Sequence, residues 1–181
     1  MMTFNDTLII LNNLFSMNDY RVKKCRMLFQ LAQDANGSIV ELGSYHGMST
    51  IALSLGSKHQ VYAIDDWNRT GWVNERYTQR DYQMFNINID CAGVDVEVFN
   101  QSIENVAMFW NMPVSMIFWD TGVEDCLINH FRLWHKHLVK GGLFLVHDTV
   151  DYRLGWNELQ AFSGDNWQVE KFEPLHGLRK L

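Results

Sequence analysis

The sequence predicts an α/β fold with a doubly wound, mostly parallel sheet, and three observations carry that expectation. Short apolar runs alternate with segments of helical periodicity. Glycines and carboxylates stand directly after the apolar runs, where the binding crevice of such a sheet lies. The C-terminal stretch has the alternation and central turn of a hairpin.

From Asn5 to about Asn36 apolar residues recur at helical spacing, with Asn18 as an N-cap and Asn36-Gly37 as a stop, so the first 36 residues read as a two-helix flank. Ser38 to Leu42 is the first strand, and Met48 to Lys58 a helix opened by Ser49 and Thr50. Gln60 to Ile64 is the second strand, and Val73 to about Cys91 a polar, aromatic-rich helix. Asp95 to Phe99 and Ser115 to Trp119 are further strands around a helix from Ile103 to Trp110. A helix from about Glu124 to Val139 should stop at Lys140-Gly141-Gly142, ahead of a buried strand from Leu143 to Val146. A helix near Leu154 to Phe162 precedes the hairpin, which pairs Trp167 to Glu173 with Leu178 to Leu181 across a Pro174 to Gly177 turn. Residues 37–181 thus form the sheet-based core of a single domain, with no internal repeat or linker.

Bulk composition narrows the partners. A chain of 181 residues at 47% hydrophobic content suffices for one buried core. Its net charge of -6 opposes binding to phosphate backbones or anionic membrane, so neither nucleic acid nor membrane is an expected partner. The basic cluster Arg21, Lys23, Lys24 and Arg26 reads as a solvated helix face. Cys25, Cys91 and Cys126 are widely spaced and odd in number, which suits a reducing cytoplasm better than a disulfide framework. The N-terminal apolar stretch is too short and too interrupted for a signal peptide or a membrane span.

The informative polar residues follow the strands. Glu41-Leu-Gly-Ser-Tyr-His-Gly47 joins the first strand to its helix, where Gly43 and Gly47 permit a tight turn and the helix start offers free N–H groups to an anion. Asp65, about twenty residues further on, stands where a carboxylate accepts hydrogen bonds from both hydroxyls of a ribose. Together they point to a nucleoside ligand, either a nicotinamide cofactor or an adenosyl sulfonium.

The runs Ile39 to Thr50, Val61 to Trp67 and Gly141 to Thr149 resemble the class I S-adenosylmethionine-dependent methyltransferases, whose fold is Rossmann-like. Within that class they are most similar to the branch of macrocin O-methyltransferase-like and cephalosporin hydroxylase-like proteins. The resemblance implies that Glu41, Gly43, Ser44, Gly47 and Ser49 surround the methionine moiety. It implies that Asp65 holds the ribose with Asp66 and Trp67 beside it, and that Gln101 and Ser102 bracket adenine. Asp120, His147 and Asp148 would form the chemical centre, Asp120 also facing the cofactor. Related branches place Mg²⁺ or another divalent ion on such a trio to acidify a substrate hydroxyl. Without a metal, His147 is the natural general base.

One departure is notable: Asp120-Thr-Gly-Val123 puts valine where the branch commonly has histidine. Glu124 and Asp125 there read as helix-dipole partners. His130, His135 and His137 read as packing or surface residues. Trp67, Trp72, Tyr77, Tyr82 and Phe85 either line an acceptor pocket or pack a long helix. The expected activity is O-methylation of a small hydroxylated acceptor. The alternatives are a protein that binds S-adenosylmethionine or S-adenosylhomocysteine without methyl transfer, and a nicotinamide-dependent oxidoreductase, which the looser glycine spacing disfavours. A homodimer through the N-terminal helices is a further expectation.

Overall fold

The computed structural model describes residues 2–68, 78–121, 126–147 and 153–181. Two helices open the chain: α1 (Phe4–Leu14), started by a Thr3–Asp6 capping box, and α2 (Asp19–Asp34), whose N-cap Asn18 accepts from the Arg21 N–H as expected. Then follow β1 (Ile39–Leu42), α3 (Met48–Gly56), β2 (Val61–Asp65), α4 (Gln79–Ala92), β3 (Val96–Asn100) and α5 (Ile103–Phe109). The chain continues through β4 (Val114–Trp119), α6 (Leu127–Trp134), β5 (Leu138–Val146), α7 (Arg153–Ser163), β6 (Trp167–Phe172) and β7 (Leu175–Lys180).

These strands form one seven-stranded sheet in the order β3-β2-β1-β4-β5-β7-β6. The first five are parallel, and β7 and β6 close the edge antiparallel. The expected doubly wound sheet with a terminal hairpin is therefore what the chain forms. Alternation along the strands assigns its two faces. Val40, Leu42, Ile64, Ile117 and Trp119 pack under α5, α6 and α7, whereas Ile39, Ala63, Met116 and Phe118 pack under α1 to α4. Strand order reverses at β1, between β2 and β4, and the carboxyl ends of those strands frame the ligand crevice.

Three boundaries differ from expectation, each for a local reason. The α3 N-cap is Gly47 in the left-handed region (φ 89°), with no side-chain cap; Ser49 and Thr50 turn inward and are buried. A Thr78–Asp81 capping box starts α4 at Gln79, and the expected stretch from Val73 to Tyr77 lies outside the described residues. The Gly141-Gly142 pair does not end a helix. After Trp134 the chain makes one 3₁₀ turn and enters β5 at Leu138, and Gly141 (φ 77°) lies where the β4–β5 register shifts, an irregularity that glycine accommodates. The hairpin turn is only Glu173-Pro174, so Leu175 to Gly177 belong to β7. No helix among the described residues is long and apolar enough to cross a membrane, and the cysteines are free thiols.

Candidate active site

Register builds the site. Leu42 is paired with Ile64 on one side and Trp119 on the other, and Trp119 with Val146, so the next residues, Gly43, Asp65, Asp120 and His147, lie in one row across the carboxyl edge. The Asp120 N–H bonds the Leu42 carbonyl at 2.9 Å and the His147 N–H the Trp119 carbonyl at 3.1 Å, which locks the row. Gly43 (φ 91°) is obligatory: a Cβ there would run into the backbone carbonyl of Asp120.

On the β1–β2 side the organising group is Asp65. Its Oδ2 accepts from the backbone N–H of Ser44 (2.8 Å) and Tyr45 (2.9 Å), and its Oδ1 from that of Trp67 (2.9 Å). Most of its acceptor capacity is thus spent on bracing both loops. Asp66 beside it is half-buried, with Oδ1 accepting from the Asn68 N–H at 3.2 Å. Tyr45 (φ 47°) and Trp67 (φ 45°) are both left-handed, a conformation unusual for aromatic residues. Trp67 is 2% exposed, donates Nε1–H to the Tyr45 carbonyl at 2.7 Å and packs on Tyr82 and Phe85. Of the aromatic segment, Trp67 and Phe85 therefore belong to the core beneath the loop; Trp72 and Tyr77 lie outside the described residues.

Glu41 points to the helical face that carries Ile39, and it is wholly buried. Its Oε2 accepts from the Thr50 hydroxyl, while Oε1 and the neighbouring Ser44 Oγ have no protein partner. Burial pushes the Glu41 carboxyl up to about 8, against hydrogen bonding that pulls it down. Such unsatisfied buried acceptors fit the ammonium end of an amino-acid ligand. At the far side of the crevice, Gln101 is exposed, and Ser102 caps α5 by accepting from the Asn105 N–H at 3.2 Å.

On the β4–β5 side a chain of side chains crosses the row. His147 Nδ1 pairs with Asp120 Oδ1 at 2.9 Å, Asp120 Oδ2 accepts from Lys24 Nζ at 3.2 Å, and His147 Nε2 meets the Tyr20 hydroxyl at 2.9 Å. Burial would raise the Asp120 carboxyl, but Lys24 and His147 outweigh it and hold it far below the usual carboxylate range. The structure brings the predicted Asp120 and His147 side chains together. Sequence reasoning missed Tyr20 and Lys24, and it misread Lys24 as solvated; that residue is 6% exposed. The available signal was spacing, since Tyr20, Lys24 and Leu28 follow at four-residue intervals along the face of α2 that also buries Cys25.

Other expected members fall elsewhere. Asp148, with Gly122 to Asp125, lies outside the described residues. Among those described, no group of three His, Cys, Asp or Glu side chains gathers to hold a metal. His130 is fully buried, accepting from Trp119 Nε1 at 3.0 Å and meeting Glu104 at 2.8 Å, which is a packing role as expected. His135 likewise bonds the Phe131 carbonyl within its own helical turn.

The comparisons agree with this architecture. The family described as "Methyltransferase domain" matches residues 40–149, from β1 through the end of β5. No curated relative matches the sequence significantly. Among solved structures, the chain is similar to an O-methyltransferase from Bacillus cereus in complex with S-adenosylhomocysteine, at 16% identity and TM-score 0.65, covering 98% of this chain and 90% of that one. An rRNA methylase from Streptococcus thermophilus matches at 16% identity and TM-score 0.65, covering 92% and 99%. A Corynebacterium glutamicum protein matches at 13% identity and TM-score 0.73, covering 99% and 91%. At these identities the likeness establishes the fold, and the family match extends it to the class of enzyme. The chain belongs to the methyltransferase domain family and is a class I S-adenosylmethionine-dependent methyltransferase.

Proposed function

We propose that this methyltransferase acts on the oxygen of a small hydroxylated molecule, with His147 as the base. The observation that carries the reading is the Asp120–His147–Tyr20 chain, placed one strand away from the glycine loop. The cofactor's methionine end would lie over Gly43, Ser44, Gly47 and Ser49, with its ammonium on Glu41 Oε1. The ribose diol would be shared by Asp65, which has little acceptor capacity left, and the more open Asp66. Gln101 and Ser102 would face the adenine, and Trp67 would support the loop from below. When bound, S-adenosylmethionine supplies a methyl group on a sulfonium whose sulfur leaves as a neutral thioether.

The protein must therefore align the acceptor and remove one proton. Asp120 accepts from His147 Nδ1–H, which leaves Nε2 as the basic nitrogen. The Tyr20 hydroxyl stands 2.9 Å from Nε2 on a residue that is 45% exposed, and so is open to an acceptor. Tyr20 would take the proton of the acceptor oxygen and hand its own hydroxyl proton to His147 Nε2, so that the oxygen loses its proton as it is methylated. Three free thiols suit a reducing cytoplasm as the place of work.

The test is a screen of small phenols, catechols and sugar alcohols with methyl-labelled cofactor, read as labelled ether and released S-adenosylhomocysteine. Oxygen methylation that falls about tenfold in Tyr20→Phe, with cofactor affinity unchanged, is the expected result. Transfer to nitrogen alone, or turnover indifferent to His147, would overturn the reading.

A further inference from the structure

We propose that Lys24 supplies this site with the fixed positive charge that a divalent ion would otherwise bring, so that the chain works on its acceptor without a metal. The inference rests on the reading of His147 as base and concerns how that base is held. A bound ion needs carboxylate and imidazole lone pairs converging on one point at about 2.0 to 2.6 Å. In the two described members of the expected trio, Asp120 and His147, they are turned to other partners; Asp148 lies outside the described residues. Asp120 offers Oδ1 to His147 and Oδ2 to Lys24, and the remaining nitrogen of His147 is met by Tyr20. Ligation through either ring nitrogen would break one of these contacts.

Charge argues the same way. The Lys24 side chain is 7% exposed and its ammonium stands 3.2 Å from Asp120. An ion on that carboxylate would sit beside a largely buried cation, where solvent screens the repulsion less than at the surface. The ammonium is fixed by the fold rather than borrowed from solution. It rises from α2 on the stripe that buries Cys25, Leu28 and Ala32, one helical turn after Tyr20, so a single helix contributes to both ends of the Asp120–His147 pair. Lys24 is a positioning residue: it orients Asp120, and Asp120 orients the imidazole so that Nε2 meets the Tyr20 hydroxyl.

The experiment is calorimetric titration of Mn²⁺ into the wild-type chain and into Lys24→Met, Lys24→Arg and Asp120→Asn, each with S-adenosylhomocysteine present. Nitrogen-15 spectra of the His147 imidazole accompany it. Wild type and Lys24→Arg should take up no Mn²⁺ and should show the tautomer protonated at Nδ1. Lys24→Met should bind Mn²⁺ at least about tenfold more tightly than wild type, with a mixed tautomer signal, because the competing cation is gone. One equivalent of Mn²⁺ bound by wild type at micromolar concentration, and lost in Asp120→Asn, would overturn the proposal. If Lys24→Met fails to fold, the wild-type, Lys24→Arg and Asp120→Asn titrations decide. Turnover that stops in EDTA and returns with Mn²⁺ would overturn this inference and leave the base reading intact. Absence of oxygen methylation without Mn²⁺ uptake would sink the base reading and leave the place of Lys24 standing.

Discussion

The two halves of the crevice are built on opposite principles. On the β1–β2 side one carboxylate, Asp65, gathers backbone N–H groups from two loops, so the shape of the proposed cofactor side is set by main chain. On the β4–β5 side, side chains from α2, β4 and β5 hold one another, and the link from Tyr20 to His147 spans 127 positions of sequence. Main-chain geometry suits a ligand that is the same in every turnover. A side-chain chain can be retuned for a particular acceptor while the sheet stays as it is.

Substitutions should separate the halves. The largest effect is expected from His147→Asn, which removes the proposed base: kcat should fall about a thousandfold, within the usual range for general-base loss, while S-adenosylhomocysteine affinity stays unchanged in calorimetry. A parallel loss of affinity would mean the halves are not separable. Next is Gly43→Ala, where a Cβ has no room beside Asp120 and the backbone is left-handed. A loss of about 3 kcal/mol or more in chemical denaturation is expected, affecting both halves because Gly43 touches both.

Glu41→Gln should sharpen the comparison further. The wild-type carboxyl is lifted by burial from 4.5 to about 8, so between those values the unfolded chain has lost the proton that the folded chain retains. Stability without ligand therefore declines as pH rises across that window and reaches its full cost above about 8. Gln removes this slope, so the variant should melt higher than wild type at pH 8.5 and similarly at pH 5 in a thermal scan. It should also bind S-adenosylhomocysteine roughly ten- to a hundredfold more weakly, because a neutral amide replaces a charge-assisted acceptor. The smallest effect belongs to Trp67→Phe, which gives up the Nε1 bond to Tyr45 and some packing: about 1 kcal/mol of stability, with a severalfold weaker cofactor site.

The same contrast explains what could be read from the chain in advance. Strand alternation, the glycine loop and Asp65 were legible because their partners lie within about one β-α-β unit and act through backbone. Asp120 and His147 were legible as strand ends, since a parallel sheet must align them. Lys24 was not, because a basic cluster on an exposed helix looks the same whether or not one member turns inward, and only the packing of α2 on α3 decides it. The Gly141-Gly142 pair misled for a related reason: glycine marks a helix end and a strand irregularity alike, and the pairing of β5 with β4 makes it the second.

The most direct test of the central claim is calorimetric titration of the purified chain with S-adenosylhomocysteine and, separately, NAD, in wild type and Glu41→Gln. The account predicts one S-adenosylhomocysteine site with Kd on the order of 1 μM, weakened in Glu41→Gln, and no heat from NAD. Tight NAD binding, or no binding of S-adenosylhomocysteine by folded wild-type protein, would contradict it.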